Sequence, residues 1–363
     1  MLMAVVVMWA GDEATVATRS APASTSTTTT TWRVAAVGCR PVAEMTLRQR
    51  LAQLVMVNLS TDAASSARDL LARVEPPGGL VLTGDADADV VNGSIATAAA
   101  ATPTIVAIDD EGGRVQALGR AGFPSARKQA ATLTLDAIGT MAADRAARMV
   151  TLGVTMDLAP VVDVSSQPDD GPIGDRSYGS DANTVVRNAG AFASGLRRSG
   201  ILPTLKHFPG HGSASGDSHL APVSTPDLAT LRASDLKPYR ALLPTGPMAV
   251  LTGHLDVPGL TEPNVPASLS PATYALLRGE LAFDGLAVTD DLGGMAAVSA
   301  RYGIADAAVR AIVAGADMAM IGPASSMDAV LGGLEAAATT NALPEARVTD
   351  ALRRVRTAQS CPP

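Results

Sequence analysis

Residues 202–219 read Leu-Pro-Thr-Leu-Lys-His-Phe-Pro-Gly-His-Gly-Ser-Ala-Ser-Gly-Asp-Ser-His. The first five, Leu202–Lys206, form a short β-type run. A polar, Gly-rich segment follows, and then the helix-type stretch Pro226–Leu242. The same order of run, polar segment and Ala-rich helical stretch recurs along the chain from residue 44. The other runs are Leu54–Leu59, Gly79–Thr83, Thr104–Ile108, Val154–Leu158, Ala249–Gly253, Leu286–Thr289 and Asp317–Ile321. Helical stretches between them include Ala64–Val74, Ser125–Leu152, Ala182–Arg198, Pro271–Leu281 and Ile304–Ala314, and Leu343–Gln359 reads as a closing helix. Continuous apolar strands alternating with helices predict a parallel sheet buried on both faces. Eight such units predict an α/β fold of the closed (β/α)8 TIM-barrel type in one domain, with an open doubly wound sheet as the alternative. Neither a Gly-rich dinucleotide fingerprint nor a P-loop is present.

Composition narrows the classes. Of the 363 residues 47% are hydrophobic and 17% charged, which is enough apolar material for a large core and excludes wholesale disorder. A net charge of −7, 3% aromatics and the lack of any Lys/Arg run argue against a nucleic-acid surface. No stretch of ~18 apolar residues is present, so no membrane span is expected. Residues 1–38 read as a leader. A short apolar run, Leu2–Ala10, resembles the core of a secretion signal, and the small, polar stretch Gly11–Thr31 cannot bury apolar surface and reads as a flexible tether. This pattern predicts export to the cell envelope or beyond, free or tethered by a lipid anchor; a leader without a role is the alternative. The barrel is expected over residues 39–361. In a closed barrel the first and last units are neighbours, so Cys39 and Cys361, just outside them, are expected to form a disulfide, itself suited to an oxidising compartment.

The polar residues of interest fall at or just after the strands. Asp109-Asp110-Glu111-Gly112-Gly113-Arg114 follows the third, Asp163 and Asp175-Arg176 the fourth, and Lys206-His207 ends the fifth. His254 and Asp256 follow the sixth, and Asp290-Asp291 ends the seventh. In a barrel these positions converge on one face. All four histidines, His207, His211, His219 and His254, sit there, three of them within 13 residues. One reading makes them loop histidines with satisfied hydrogen bonds. A second is a divalent metal site built from His207, His211 and His219. A third needs no metal: Asp217 and His219, at i and i+2, pair so that the carboxylate fixes the tautomer of a proton-shuttling imidazole. The Gly and Ser density between Gly210 and Gly216 suits a loop that moves.

Lys206–His219 resembles the Lys-His-Phe-Pro-Gly-His-Gly, spacer, Asp-x-His signature of glycoside hydrolase family 3 β-N-acetylglucosaminidases of the peptidoglycan-recycling type. Four further segments resemble the family in order: Ile108–Val115, Leu158–Val164, Ile173–Tyr178, and Val288–Leu292 with Met295 after it. The resemblance spans roughly residues 44 to 357. It implies a retaining, exo-acting β-N-acetylhexosaminidase without metal or other cofactor, acting on a carbohydrate with terminal β-linked N-acetylglucosamine. It also implies Asp290 as nucleophile, with Asp291 as the alternative, and His219 as general acid/base with Asp217 as its partner. Asp109, Arg176, Lys206 and His207 are implied to hold the sugar hydroxyls. Duller alternatives make Asp109 a cap and Arg176 an ion-pair partner of Asp175 or Asp163. One departure stands out: where family members often carry a substrate-contacting arginine, this chain has Ala117, with Arg120 nearby. That bears on the fit to muramic-acid-containing substrates.

The chemistry suits the residues. A carboxylate beneath the anomeric carbon stabilises the oxocarbenium-like transition state and, in retaining enzymes, bonds to the sugar. Histidine, with a reference pKa of ~6.5, needs little shifting to act as acid and base, whereas Glu must be raised by roughly two units. A histidine base would not repel an anionic acceptor, so phosphorolysis beside hydrolysis is conceivable. The rivals are a metal-dependent barrel hydrolase and a catalytically silent carbohydrate-binding barrel. A monomer is expected.

Overall fold

A computed structural model describes residues 38–59, 64–83, 103–119 and 122–362; residues 1–37 of the expected leader, and Arg120, lie outside the described residues. Eight parallel strands form the sheet: Val55–Leu59, Gly79–Leu82, Ile105–Ile108, Met156–Asp157, Leu202–Phe208, Ala249–Thr252, Leu286–Thr289 and Ala319–Ile321. Each pairs with the next in chain order, and the first also pairs with the last. The seventh and eighth meet at a bridge between Val288 and Met318, where Asp317 N donates to Ala287 O at 2.8 Å and Thr289 N to Met318 O at 3.1 Å. The sheet is thereby closed, and the open alternative falls. Strands two, three, six and seven are buried at every position, because helices cover one face and barrel-filling side chains the other.

The helices follow the sequence where a cap marks their start. Helix Ala182–Arg198 begins at Asp181, whose carboxylate accepts from Thr184 N at 2.8 Å. The stretch expected as one helix over Ser125–Leu152 is two, Ala126–Thr132 and Leu135–Thr151. Leu133 and Thr134 take extended backbone, and the Thr134 hydroxyl caps the second helix through Ala137 N at 3.2 Å. Pro226–Leu242 divides likewise into Leu228–Ala233 and Leu236–Leu242. Pro271–Leu281 opens as an α-helix and closes on a π-helical turn, Leu276–Glu280. Helix Met327–Thr339, absent from the sequence reading, packs on Ile304–Ala314. The closing helix runs from Glu345 to Ala358.

Cys39 and Cys361 form a disulfide, their Cα atoms 5.7 Å apart. At the same pole, where the strands begin, Asp317 is fully buried and gathers three cations. Arg278 Nη2 lies 2.6 Å and Arg347 Nη2 2.8 Å from its carboxylate, with Arg354 Nη1 at 3.3 Å. Removing one member of such a group strands the others in low dielectric. Asp317→Ala should therefore lower unfolding free energy by about 3–5 kcal/mol in urea titrations, while the folded fraction keeps its activity, because the site lies at the other pole.

Candidate active site

The strand C-termini surround a cavity of about 250 Å³. Asp109, Arg176, Lys206, His207, His219 and Asp290 all line it, so six of the seven expected site residues come together. Asp217, the seventh, is bonded to one of them. Its Oδ1 lies 2.8 Å from His219 Nδ1 and accepts from His219 N at 2.9 Å. Partial desolvation of Asp217 raises its pKa, but these bonds and the imidazole charge bring it below the ordinary value. With Nδ1 committed to a carboxylate, His219 Nε2 is the ring atom left to exchange a proton.

The cations stand in a buried network. Lys206 lies near the C-terminal end of the fifth strand, and its Nζ reaches both Asp109 Oδ1 and Glu111 Oε1 at 2.6 Å. Arg176 lies in a short 3₁₀ turn, Gly174–Arg176, and grips Glu111 in a fork: Nε to Oε2 at 2.8 Å and Nη2 to Oε1 at 2.6 Å. Burial works against ionisation of Glu111, but Arg176 and Lys206 outweigh it and hold the carboxyl well below its usual range. Arg176 thus pairs with Glu111, not with Asp163 or Asp175; Asp175 instead lies beside Arg114. Arg114 also donates to the carbonyls of Asp169 and Ile173, at 3.2 Å each, and so ties down the segment that carries Arg176. Among the described residues Asp109 makes no capping bond; its carboxylate takes Lys206.

Asp163 organises the neighbouring wall. Its Oδ2 lies 2.7 Å from His207 Nδ1, and its Oδ1 accepts from His211 N at 2.7 Å. Fully buried, it is nonetheless held below its ordinary pKa by those two histidines. His207 is thereby oriented with Nε2 toward the cavity, 3.4 Å from Arg176 Nη2. The peptide between Lys206 and His207 is cis, as is that between Phe208 and Pro209. Close approach fixes Gly212: a Cβ there would stand 2.1 Å from Val164 O.

The two acids after the seventh strand differ sharply. Asp291 accepts from Asn58 Nδ2 at 2.7 Å, Gly293 N at 2.9 Å and Gly294 N at 3.1 Å, so both its oxygens are engaged in structure. Among the described residues Asp290 accepts only the amide of Asp291, at 3.0 Å. Burial raises its pKa, but His254, His207 and His219 together hold the carboxyl below its ordinary value. An ionised, sparsely bonded carboxylate on one wall, with a carboxylate-paired imidazole lining the same cavity, can deliver a nucleophile and a proton to one bond.

The three histidines of the metal alternative do not converge. His207 is taken by Asp163, His219 by Asp217, and His211 Nε2 meets Ser218 Oγ at 3.2 Å. No three His, Cys, Asp or Glu side chains among the described residues are gathered as ion ligands. His254 lies behind the wall, buried between Ser268 Oγ at 2.7 Å and Asp291 O at 3.1 Å. Ala117 is also buried, with its N–H on Asp110 Oδ1, and is not part of the cavity lining. Asp110 belongs to the scaffold too, since Arg145 holds both its oxygens. The sequence reading assigned no role to Glu111 and Asp163, although both stood among the acids following strands three and four. It missed Asn58 and Thr83, which line the cavity from strands one and two. A larger hollow of about 540 Å³ lies where the strands begin. Its charged members, Asp284, Arg353 and Arg354, pair with one another, leaving apolar surface.

Residues 46–358 match the glycosyl hydrolase family 3 N-terminal domain. The chain is 46% identical over 322 residues to beta-hexosaminidase LpqI of Mycobacterium tuberculosis, covering 85% of this chain and 82% of that protein. A solved family 3 glycosyl hydrolase from Mycobacterium smegmatis superposes with a TM-score of 0.82 at 44% identity, over 89% of this chain and 99% of that one. A family 3 β-N-acetylglucosaminidase from a Paenibacillus species superposes with a TM-score of 0.80 at 31% identity, over 87% of this chain and 63% of that one. With this match over the whole barrel and a cavity bearing a free carboxylate and a paired imidazole, the chain belongs to glycoside hydrolase family 3 and is a glycoside hydrolase.

Proposed function

We propose that the chain is a retaining, exo-acting β-N-acetylglucosaminidase that removes terminal β-linked N-acetylglucosamine from peptidoglycan fragments or chito-oligosaccharides. The observation that carries the reading is the placement of Asp290 and the Asp217-bonded His219 on one small cavity whose other polar walls are Asp109, Arg176, Lys206 and His207. At about 250 Å³ the cavity is below the ~300–1,000 Å³ of sites for larger ligands, which suits one terminal ring. Relatives called beta-hexosaminidase and β-N-acetylglucosaminidase support the sugar.

In this reading the four wall residues hold the ring hydroxyls, with His207 Nε2 accepting and the two cations donating. Asp290 attacks the anomeric carbon as the glycosidic bond breaks. Protonated His219 gives its Nε2 proton to the departing oxygen, leaving a glycosyl ester on Asp290 and a neutral imidazole. The same imidazole then takes a proton from water, whose oxygen attacks the anomeric carbon, and Asp290 leaves as a carboxylate. Asp217 stabilises the imidazolium and fixes its tautomer. Among the described residues no helix is long and apolar enough to cross a membrane. The Cys39–Cys361 bridge suits an oxidising compartment, in keeping with export to the cell envelope.

The test is a panel of aryl β-glycosides differing only at the 2-position. The 2-acetamido substrate should be turned over with a kcat/KM at least about 100-fold above the 2-hydroxyl one, a discrimination of the size that polar groups in a site supply. Comparable rates on both would contradict the assigned sugar, and turnover of neither would favour a silent binding barrel.

A further inference from the structure

We infer that His211 is a positioning residue for the acid/base pair, acting through Ser218. The inference rests on the reading of His219 as the proton donor and acceptor. Ser218 stands between Asp217 and His219, so whatever fixes Ser218 fixes both members of the pair. It is 2% exposed and is the one buried residue from Ser213 to Pro222. Asp217 is half-buried and the His219 side chain is 61% exposed, so packing alone does little to place them.

Ser218 is tied to the barrel at both ends of its residue. Its hydroxyl meets His211 Nε2 at 3.2 Å, and its carbonyl accepts from Ala297 N at 3.1 Å, beside a longer bond from Ala296 N to His219 O. The two anchors differ in rigidity. Ala296 and Ala297 begin a four-residue helix, Ala296–Ser299. His211 is 4% exposed and locked by its own backbone: its N–H donates to Asp163 Oδ1, and its ring sits edge-on to His207 with centroids 5.8 Å apart. The Asp163 carboxylate that orients His207 toward the sugar thus also holds His211, and His211 holds the segment bearing the proton donor. Sugar-binding wall and acid/base pair share one buried reference point. Burial lowers the pKa of His211, and the adjoining His207 adds to this, so the ring bonds Ser218 as a neutral imidazole and is no proton carrier itself.

Positioning of the proton donor has a kinetic signature that a general packing role lacks. It matters where the leaving oxygen needs a proton and little where the leaving group departs unaided. Ser218→Ala and His211→Phe should each lower kcat/KM for a sugar or alkyl leaving group by about tenfold or more, and for a dinitrophenyl leaving group by less than about twofold. Ser218→Thr, which keeps the hydroxyl, should restore most of the loss. The small change at Ser218 serves if the ring replacement at His211 unfolds the protein. His219→Ala measured alongside separates the two levels of the argument. If His219→Ala shows the leaving-group dependence and Ser218→Ala does not, the positioning role is wrong. If Ser218→Ala lowers all leaving groups equally, the bond serves packing or sugar binding and the inference falls. If His219→Ala itself shows no dependence, the acid/base assignment is what fails.

Discussion

Asp290→Asn should leave a folded barrel whose kcat falls roughly 10⁴- to 10⁶-fold, the range seen when a covalent nucleophile is removed. The amide matches the carboxylate in size, and Asp290 accepts only one described hydrogen bond, from the amide of Asp291, which an Asn oxygen can also accept. Packing is therefore unchanged and melting temperature should stay close to that of the parent. What disappears is the negative charge beneath the anomeric carbon and the capacity to form a glycosyl ester. Asp291→Asn should behave in the opposite way. Its oxygens hold Asn58 and the amides of Gly293 and Gly294, so its loss should disturb the turn and stability before it touches chemistry. Parallel kinetics and thermal melts on the two variants tell them apart.

The second large effect concerns the proton. His219→Ala should cost about 10²- to 10⁴-fold in kcat/KM for sugar leaving groups, the usual contribution of a general acid, yet leave dinitrophenyl glycosides within a few fold. With the latter substrate the glycosyl-enzyme still forms, but water lacks its base, so kcat falls and the ester accumulates. Azide needs no deprotonation. It should restore kcat and yield the β-glycosyl azide, detectable by mass spectrometry, with the β-configuration reporting a double displacement. A variant indifferent to both leaving group and azide would leave His219 with a role in binding only.

Much of this architecture could be read from the chain because each part announces itself locally. The Ala-rich stretch Ala182–Arg198 between two apolar runs is a helix, and short apolar runs such as Gly79–Thr83 and Ala249–Gly253 hold strands buried on both faces. The reading failed where local signals were weak. Leu133-Thr134 carries neither Gly nor Pro, so the break within Ser125–Leu152 rests on a threonine cap that resembles any other threonine. Helix Met327–Thr339 is built of small apolar residues with a paired Gly332-Gly333, and little contrast marks its faces. The fourth strand shrinks to Met156–Asp157, since the barrel continues there through loop hydrogen bonds such as Leu158 N to Ile108 O.

The candidate site divides in the same way. Histidines and paired acids at strand ends are rare enough to be noticed, and His207, His219, Asp109, Asp290 and Asp291 do line the cavity. Partnership across the barrel is another matter. That Glu111, 65 residues from Arg176 and 95 from Lys206, holds both cations depends on the closure of the sheet, and no spacing reveals it. Asp163 and the pair Asn58–Asp291 are of the same kind. Asn58 lies 233 residues from its partner and looks like any polar residue at the end of a strand.

The covalent step is what distinguishes the assigned mechanism from its alternatives. Incubation with a slow fluorinated 2-acetamido glycoside, followed by proteolysis and mass spectrometry, should show one sugar bonded to the peptide that contains Asp290, with fragmentation placing it on that residue and none on Asp291. A sugar found on Asp291, or inactivation without any covalent adduct, would contradict the mechanism assigned to this cavity.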